Sequence, residues 1–265
     1  MITNDIALHV LHYTPLESRK NYLETNSFVS ESAKWITESH VKPEDWNIFH
    51  NRNEVFGLTE LEIGRFFRTN TFHLRWPRVL AHSFSKCMFI ASFASKRFKR
   101  SLIGSKPPVV RLSDNLLEFS LMHIVSLREF VKSSKKWYLF CEDDSRFGEN
   151  FVKKVELITF LNQPIFVSLA SGSGLKRKFL DPRVSSSGIM KIKPSTSRGL
   201  ACSIVHRDQA SKILRLMETQ GIPDWLPIDL TFSLALYSLN IETYWSCPAI
   251  VEQGSQSGAY QSNFR

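Results

Sequence analysis

Three adjacent carboxylates, Glu142, Asp143 and Asp144, follow directly on the apolar, aromatic run Trp137 to Cys141. The residues WYLFC are of the types found in a strand buried on both faces. In open α/β sheets, ligands gather at the carboxyl ends of the strands, and a strand over this run delivers the acids to that end. Neighbouring carboxylates repel one another, and a cation or water between them relieves the repulsion. A divalent ion bridging a diphosphate suits such a group, because hard cations take oxygen ligands. In sugar transfer the leaving group is a nucleoside diphosphate, and a metal stabilises its developing charge as a Lewis acid. The plainer reading of the same residues, an exposed acidic turn after a strand, stays open on the triplet alone.

The elements that must position the triplet are legible on either side of it. Ile6 to Leu11 reads as a buried first strand, and Glu17 to Leu23 as a helix following it at once, which is the opening of an α/β fold. Leu116 to Val131 carries apolar residues at helical spacing and ends at the polar turn Lys132 to Lys136. After the triplet come a helix over Phe151 to Phe160, a strand over Ile165 to Leu169, and a strand over Leu200 to Val205. An amphipathic helix over Arg207 to Thr219 follows, then a turn at Pro223 to Pro227, a helix over Ile228 to Leu239 and a last strand region over Thr243 to Val251. Residues 171–198, rich in Ser, Gly, Lys and Arg, read as a long loop, placed where a lid would close over a donor and exclude water. Residues 30–110 show no clear pattern: Trp35, Trp46 and Trp76 are scattered through polar sequence, and Pro107-Pro108 closes the stretch as a break between elements. The tail, Glu252 to Arg265, is polar.

With 265 residues and 43% hydrophobic content, the chain can build one substantial core, with or without a small lobe over 24–110. The formal net charge of +9 favours anionic partners: nucleotides, nucleic acid or an acidic membrane face. Cys87, Cys141, Cys202 and Cys247 lack the spacing of a zinc site and lie in apolar or strand-like surroundings. Buried free thiols are therefore expected, which fits a reducing compartment. The opening MITNDIALHV does not read as a signal peptide, and no apolar stretch has the length of a membrane span. The expectation is a cytoplasmic protein, peripheral to a membrane at most.

Taken in order, the motifs resemble those of glycosyltransferase family 25, the lipooligosaccharide-type sugar transferases. That family opens with a strand, an Asn-Leu-Asp-Arg-like turn and an Arg six residues after the Leu. Val10 to Arg19 (VLHYTPLESR) keeps the layout, with Tyr13 in the Leu place and Arg19 in the Arg place, while the middle of the turn departs. Against the family's Leu-Thr-x-Gly-Glu-Ile-Gly-Cys-x-Leu-Ser-His stretch, Leu112 to His123 (LSDNLLEFSLMH) keeps Leu112, a hydroxyl at Ser113, Leu121 and His123, and loses the Gly, Glu and Cys. Tyr138 to Asp144 (YLFCEDD) follows the family's Leu-Ile-Leu-Glu-Asp-Asp. Gly199, Arg207, Ala210 and Leu214 match its Gly, strand and Arg/Lys-x-x-Ala-x-x-Leu helix. Pro227-Ile228-Asp229 matches its Pro-x-Asp, and Pro248 and Gln253 match its closing Pro-x-x-x-x-Gln. Residues 24–110 align with nothing, so the resemblance is that of a divergent member.

The resemblance implies a single GT-A-type domain over 1–265, a Rossmann-like α/β fold with a mixed central sheet. It also implies a UDP-sugar donor, a Mn or Mg ion, and inversion at the anomeric carbon. Asp144 would ligate the metal, with Glu142 at the metal or the ribose and Asp143 at the ribose or a metal-bound water. Inversion requires a general base, for which Asp229 is the leading candidate and Asp224 the alternative; an Asp near a helix start also serves simply as a cap. Arg19 would meet the nucleotide's phosphates or base edge, His123 would line the site, and Gln253 would make a polar contact to donor or acceptor. The basic runs Lys96 to Arg100 and Lys176 to Lys178 invite an anionic acceptor, although solvated faces carry such charge too. The expected reaction moves a hexose, galactose or glucose, from a UDP-sugar to a glycan or glycolipid. A sugar transferase acting on nucleic acid and an inactive binding protein on the same fold are the rival readings.

Overall fold

The computed structural model describes residues 4–14, 17–52, 54–59, 61–63, 66, 111–170, 188–192 and 199–254. In chain order the strands are β1 (Ile6–Leu11), β2 (Ala33–Ile36), β3 (Phe49–His50), β4 (Trp137–Glu142), β5 (Ser145–Phe147), β6 (Phe166–Ser168), β7 (Ile189–Lys191), β8 (Cys202–His206), β9 (Ile222–Pro223), β10 (Thr243–Ser246) and β11 (Val251–Gln253). The helices are α1 (Glu17–Glu24), α2 (Ser27–Ser32), α3 (Asp114–Lys132), α4 (Phe151–Phe160), α5 (Arg207–Gln220) and α6 (Ile228–Ser238).

The apolar run before the triplet is a strand with both faces covered. Side chains alternate along it, as strand geometry requires. Trp137, Leu139 and Cys141 enter one hydrophobic cluster, with Leu23 of α1, Val29 of α2 and Val155 and Ile158 of α4. Tyr138 and Phe140 enter the other, with Ile124, Leu127 and Phe130 of α3, Ile213 and Met217 of α5, and Phe232 of α6. Helices on both faces explain why this stretch reads as continuous apolar sequence rather than as an alternation.

The main sheet has seven strands in the order β2-β1-β4-β8-β6-β10-β7. β1 pairs in parallel with β2 and with β4, and β10 in parallel with β6, whereas β8 runs antiparallel to both β4 and β6, and β7 antiparallel to β10. The result is a mixed α/β fold, consistent with a Rossmann-like arrangement. From β1 the chain passes through α1 and α2 on one face to reach β2; the approach to β4 comes through α3 on the other face. After β1 the chain turns to α1 and α2, and after β4 it turns through β5 to α4 on the same face, so the segments that follow these two parallel strands meet at one end of the sheet.

Local chemistry fixes several joints. Asn26 caps α2 by accepting from the Phe28 N–H at 3.1 Å. Arg207, the first residue of α5, donates to the carbonyls of Val131, Ser133 and Lys135 beyond the end of α3, where a cation suits the negative helix terminus. His9 of β1 meets Ser126 of α3 at 2.9 Å, and that hydroxyl meets the Tyr138 hydroxyl at 2.5 Å, which satisfies three polar groups inside the core.

Three stretches differ from their sequence expectation. Ile189–Lys191, inside the expected 171–198 loop, form the edge strand β7, because Tyr244, Trp245 and Ser246 of β10 offer them an unpaired ladder. The expected final strand over Thr243 to Val251 is two strands. Pro248 lacks the N–H a ladder needs, and after it the chain leaves the main sheet so that β11 pairs antiparallel with β5. In the patternless region, β2 joins the main sheet, and Asp45 accepts from Arg128 of α3, which also donates to Glu218 of α5. Residues 67–110, 171–187 and 193–198 lie outside the described residues, and with them the two basic runs, Trp76, Cys87, Pro107-Pro108 and the bulk of the expected lid. Cys141 and Cys202 are buried free thiols opposite one another on β4 and β8, and Cys247 is a half-buried free thiol. No described helix is long and apolar enough to cross a membrane.

Candidate functional site

The triplet sits at the carboxyl end of β4, beside the end of β1, with Glu142 in register with Leu11. Strand alternation sends its acids in different directions. Glu142 continues the side of Tyr138 and Phe140, towards α3. Asp143 continues the side of Trp137, Leu139 and Cys141, towards α1.

Asp143 is 5% exposed. Its Oδ2 accepts from the His12 ring Nδ1 at 3.1 Å and from the Tyr13 backbone N–H at 3.0 Å, and its Oδ1 accepts from Arg19 Nη1 at 2.8 Å. A carboxylate offers about four acceptor positions, and protein donors take three of these. Arg19 is itself buried, at 6% exposure, so the pair is an interior ion pair joining the start of α1 to the end of β4. The ribose or water contact expected of Asp143 and the phosphate contact expected of Arg19 thus meet groups already engaged with one another. His12 is the residue that sequence reasoning missed. Its signal was positional: it is the first residue beyond a buried strand, at the end of the sheet where ligands gather. Its ring also stands edge-on to Trp35 at 5.7 Å.

Glu142 keeps 20% of its side chain exposed. Gln253 Nε2 approaches its Oε2 at 3.4 Å, a long contact, and His123 Nε2 stands 3.9 Å from its Oε1, beyond hydrogen-bond reach. The His123 ring is 1% exposed and walled by Phe119, Phe140 and Phe232, with centroids at 5.0, 5.8 and 6.2 Å. Burial pulls its pKa down to about 3, so the ring is neutral and its approach to Glu142 is a polar contact rather than an ion pair. Asp144 is buried, and its carbonyl accepts from the Gly254 N–H at 2.8 Å, which ties the triplet to the end of β11. Burial pushes the Cys141 thiol's pKa up, and the three carboxylates beside it push it further.

The structure thus brings Arg19, His123, Glu142, Asp143, Asp144 and Gln253 to one end of the sheet. Asp229 lies in the first turn of α6, where its Oδ1 accepts from the Leu230 N–H at 3.0 Å. It is three residues before Phe232 and shares that residue's helix face, the face that packs on His123 and Phe140. Asp224 sits on a different joint. Its N–H donates to the His50 carbonyl at 2.9 Å, its carbonyl accepts from the Leu112 N–H at 2.8 Å, and its buried Oδ1 has no hydrogen-bond partner among the described residues. A separate depression lined by Gln163, Pro164, Gln209, Lys212 and Glu242 lies at the amino ends of β6 and β10, the far end of the sheet from the triplet.

Among the described residues no three His, Cys, Asp or Glu side chains form a ready-made metal cage. Asp143 is engaged by His12, Tyr13 and Arg19, so within the triplet the acids that could hold a cation are Glu142 and Asp144. A pair of carboxylates fits an ion whose remaining positions are filled by water and substrate phosphate, the usual mode for Mg-like ions in phosphate chemistry. Neither a protein-family model nor a curated protein matches the chain.

The geometry makes two predictions. Removing the Asp143 carboxylate takes its carboxylate partner from the buried Arg19 cation. Asp143→Ala should lower stability by about 3–5 kcal/mol, and Asp143→Leu combined with Arg19→Met should lose less. Urea unfolding of the set checks this, and a loss under about 1 kcal/mol for Asp143→Ala would show that the clasp does not form. The second concerns pH. His9, whose pKa burial and the nearby Lys34 lower to about 4, and His123, at about 3, both bind a proton near the ordinary imidazole value of 6.5 once unfolded. Below pH 6.5 the unfolded chain therefore holds more protons, and stability falls as pH drops, by about 1.4 kcal/mol per pH unit for each ring. Replacing His123 by Phe should remove about that much slope between pH 6 and 4.5; an unchanged slope would mean that the folded chain protonates His123.

Proposed function

We propose that the chain is a metal-dependent glycosyltransferase with a GT-A-type fold, a divergent relative of glycosyltransferase family 25, that moves a hexose from a UDP-sugar to a glycan or glycolipid with inversion. The observation that carries this reading is the placement of Glu142 and Asp144 at the carboxyl end of β4, beside the end of the parallel strand β1. Asp143 lies between them and turns inward as a brace.

In this reading Glu142 and Asp144 hold a Mn or Mg ion, which when bound neutralises charge on the departing nucleoside diphosphate. The protein's own part is to orient and to exclude water. Asp143 anchors the end of β1 against the triplet through His12 and Tyr13. Gln253 steadies Glu142 from the β5–β11 ribbon. Asp229, on the face of α6 that meets His123 and Phe140, accepts the proton of the attacking acceptor hydroxyl. The formal charge of +9 suits an anionic donor and a phosphorylated or membrane-borne acceptor, with the protein acting in the cytoplasm at the membrane surface.

Thermal unfolding with UDP and Mn tests the reading. A ligand at about a hundred times its Kd adds about 2.7 kcal/mol, which for a chain of this size raises Tm by about 5–10 °C. The expected result is such a rise with UDP and Mn together, lost in Asp144→Ala. No rise with any nucleoside diphosphate would remove the donor site.

A further inference from the structure

His123 is the polar group that the donor-site reading leaves unexplained. Its Nε2 is buried with no hydrogen-bond partner among the described residues, inside a wall of three phenylalanines. An orphaned interior nitrogen of this kind is destabilising, and native proteins rarely keep one without a use for it. The polar atom it faces is Glu142 Oε1, at 3.9 Å. That gap is too long for a hydrogen bond. Two ligands of one ion with bonds about 2.1 Å long stand about 3 Å apart when adjacent, so a cation held by both groups would draw them together from this spacing.

We propose that His123 Nε2 and Glu142 Oε1 are ligands of the same cation, so that the triplet's metal position has a nitrogen donor and selects first-row transition ions over Mg and Ca. This rests on the reading of the triplet as a cation site, and it extends that site to a residue on α3. Two features agree with it. The phenylalanine wall holds the ring's plane, so the lone pair is aimed before the ion arrives. Glu142 is the partly exposed member of the pair, which gives the ion a way in. Imidazole nitrogen raises affinity for transition ions relative to oxygen-only sites, which suit Mg and Ca. The remaining positions fall to water, to Asp144 and to the donor's phosphates.

The probe is Mn alone, added to the full chain without nucleotide and read by pulsed EPR for coupling to a ligated imidazole nitrogen, with Mg as competitor. The wild type should bind Mn with nitrogen coupling. In His123→Phe, which keeps the volume and the apolar wall, the coupling should vanish and Mn affinity should fall about tenfold, with Mg affinity unchanged. Glu142→Gln should weaken both ions. Mn bound without nitrogen coupling, coupling that persists in His123→Phe, or no Mn binding at all would each overturn the assignment. The wild-type spectrum decides even if the variant does not fold. Nitrogen-coupled Mn in a protein that UDP fails to stabilise would remove the transferase reading and leave His123 as a ligand. Stabilisation by UDP and Mn without nitrogen coupling would do the reverse.

Discussion

A buried carboxylate cannot be left alone, and Asp143 is satisfied by groups that come from elsewhere in the chain: the His12 ring, the Tyr13 N–H and the Arg19 guanidinium. Taking Asp143 and Arg19 out of water costs several kcal/mol, offset only if the geometry is good and the remaining acceptor positions are filled. Here His12 and Tyr13, from the loop that ends β1, take two of them. The clasp therefore does more than neutralise a charge. It sets the end of β1 and the start of α1 against the end of β4. Because strand side chains alternate, turning Asp143 inward also directs Glu142 to the opposite side, where His123 and Gln253 meet it.

The triplet thus divides its labour by position. The middle acid is held by the fold, while Glu142 meets Gln253 and the Asp144 carbonyl meets the Gly254 N–H. Three adjacent carboxylates would be strongly self-repelling if all faced one cavity, and Arg19 neutralises the middle one. The far side of the site is built by α3 and α6. Their aromatic residues Phe119 and Phe232, with Phe140 of β4, hold His123 in place and bring the first turn of α6, with Asp229, towards the same end of the sheet.

Much of this architecture is written locally. The run WYLFC shows a strand covered on both faces, and the spacing of apolar residues gives α3, α4, α5 and α6 to within a few residues. The position of the triplet at a strand end is legible for the same reason. What is not legible is set by distant partners. Asp143 meets His12 and Arg19 across more than a hundred residues of chain, and nothing in the sequence next to an acidic triplet says which acid turns inward. β2 is only four residues long, too short to show a pattern of its own, and it is a strand because β1 supplies its ladder. β7 lies within sequence rich in Ser, Gly and Lys and is held by β10. In the final strand region the local signal was present, since Pro248 marks the place where pairing with the main sheet stops.

Crystals of the protein grown with UDP and Mn, measured for the anomalous signal of the metal, test the central claim most directly. The account predicts one Mn peak at the carboxyl end of β4, within bonding distance of Glu142 and Asp144, with Asp143 still held by His12 and Arg19. A peak elsewhere, or one ligated by Asp143 with the clasp broken, would contradict it.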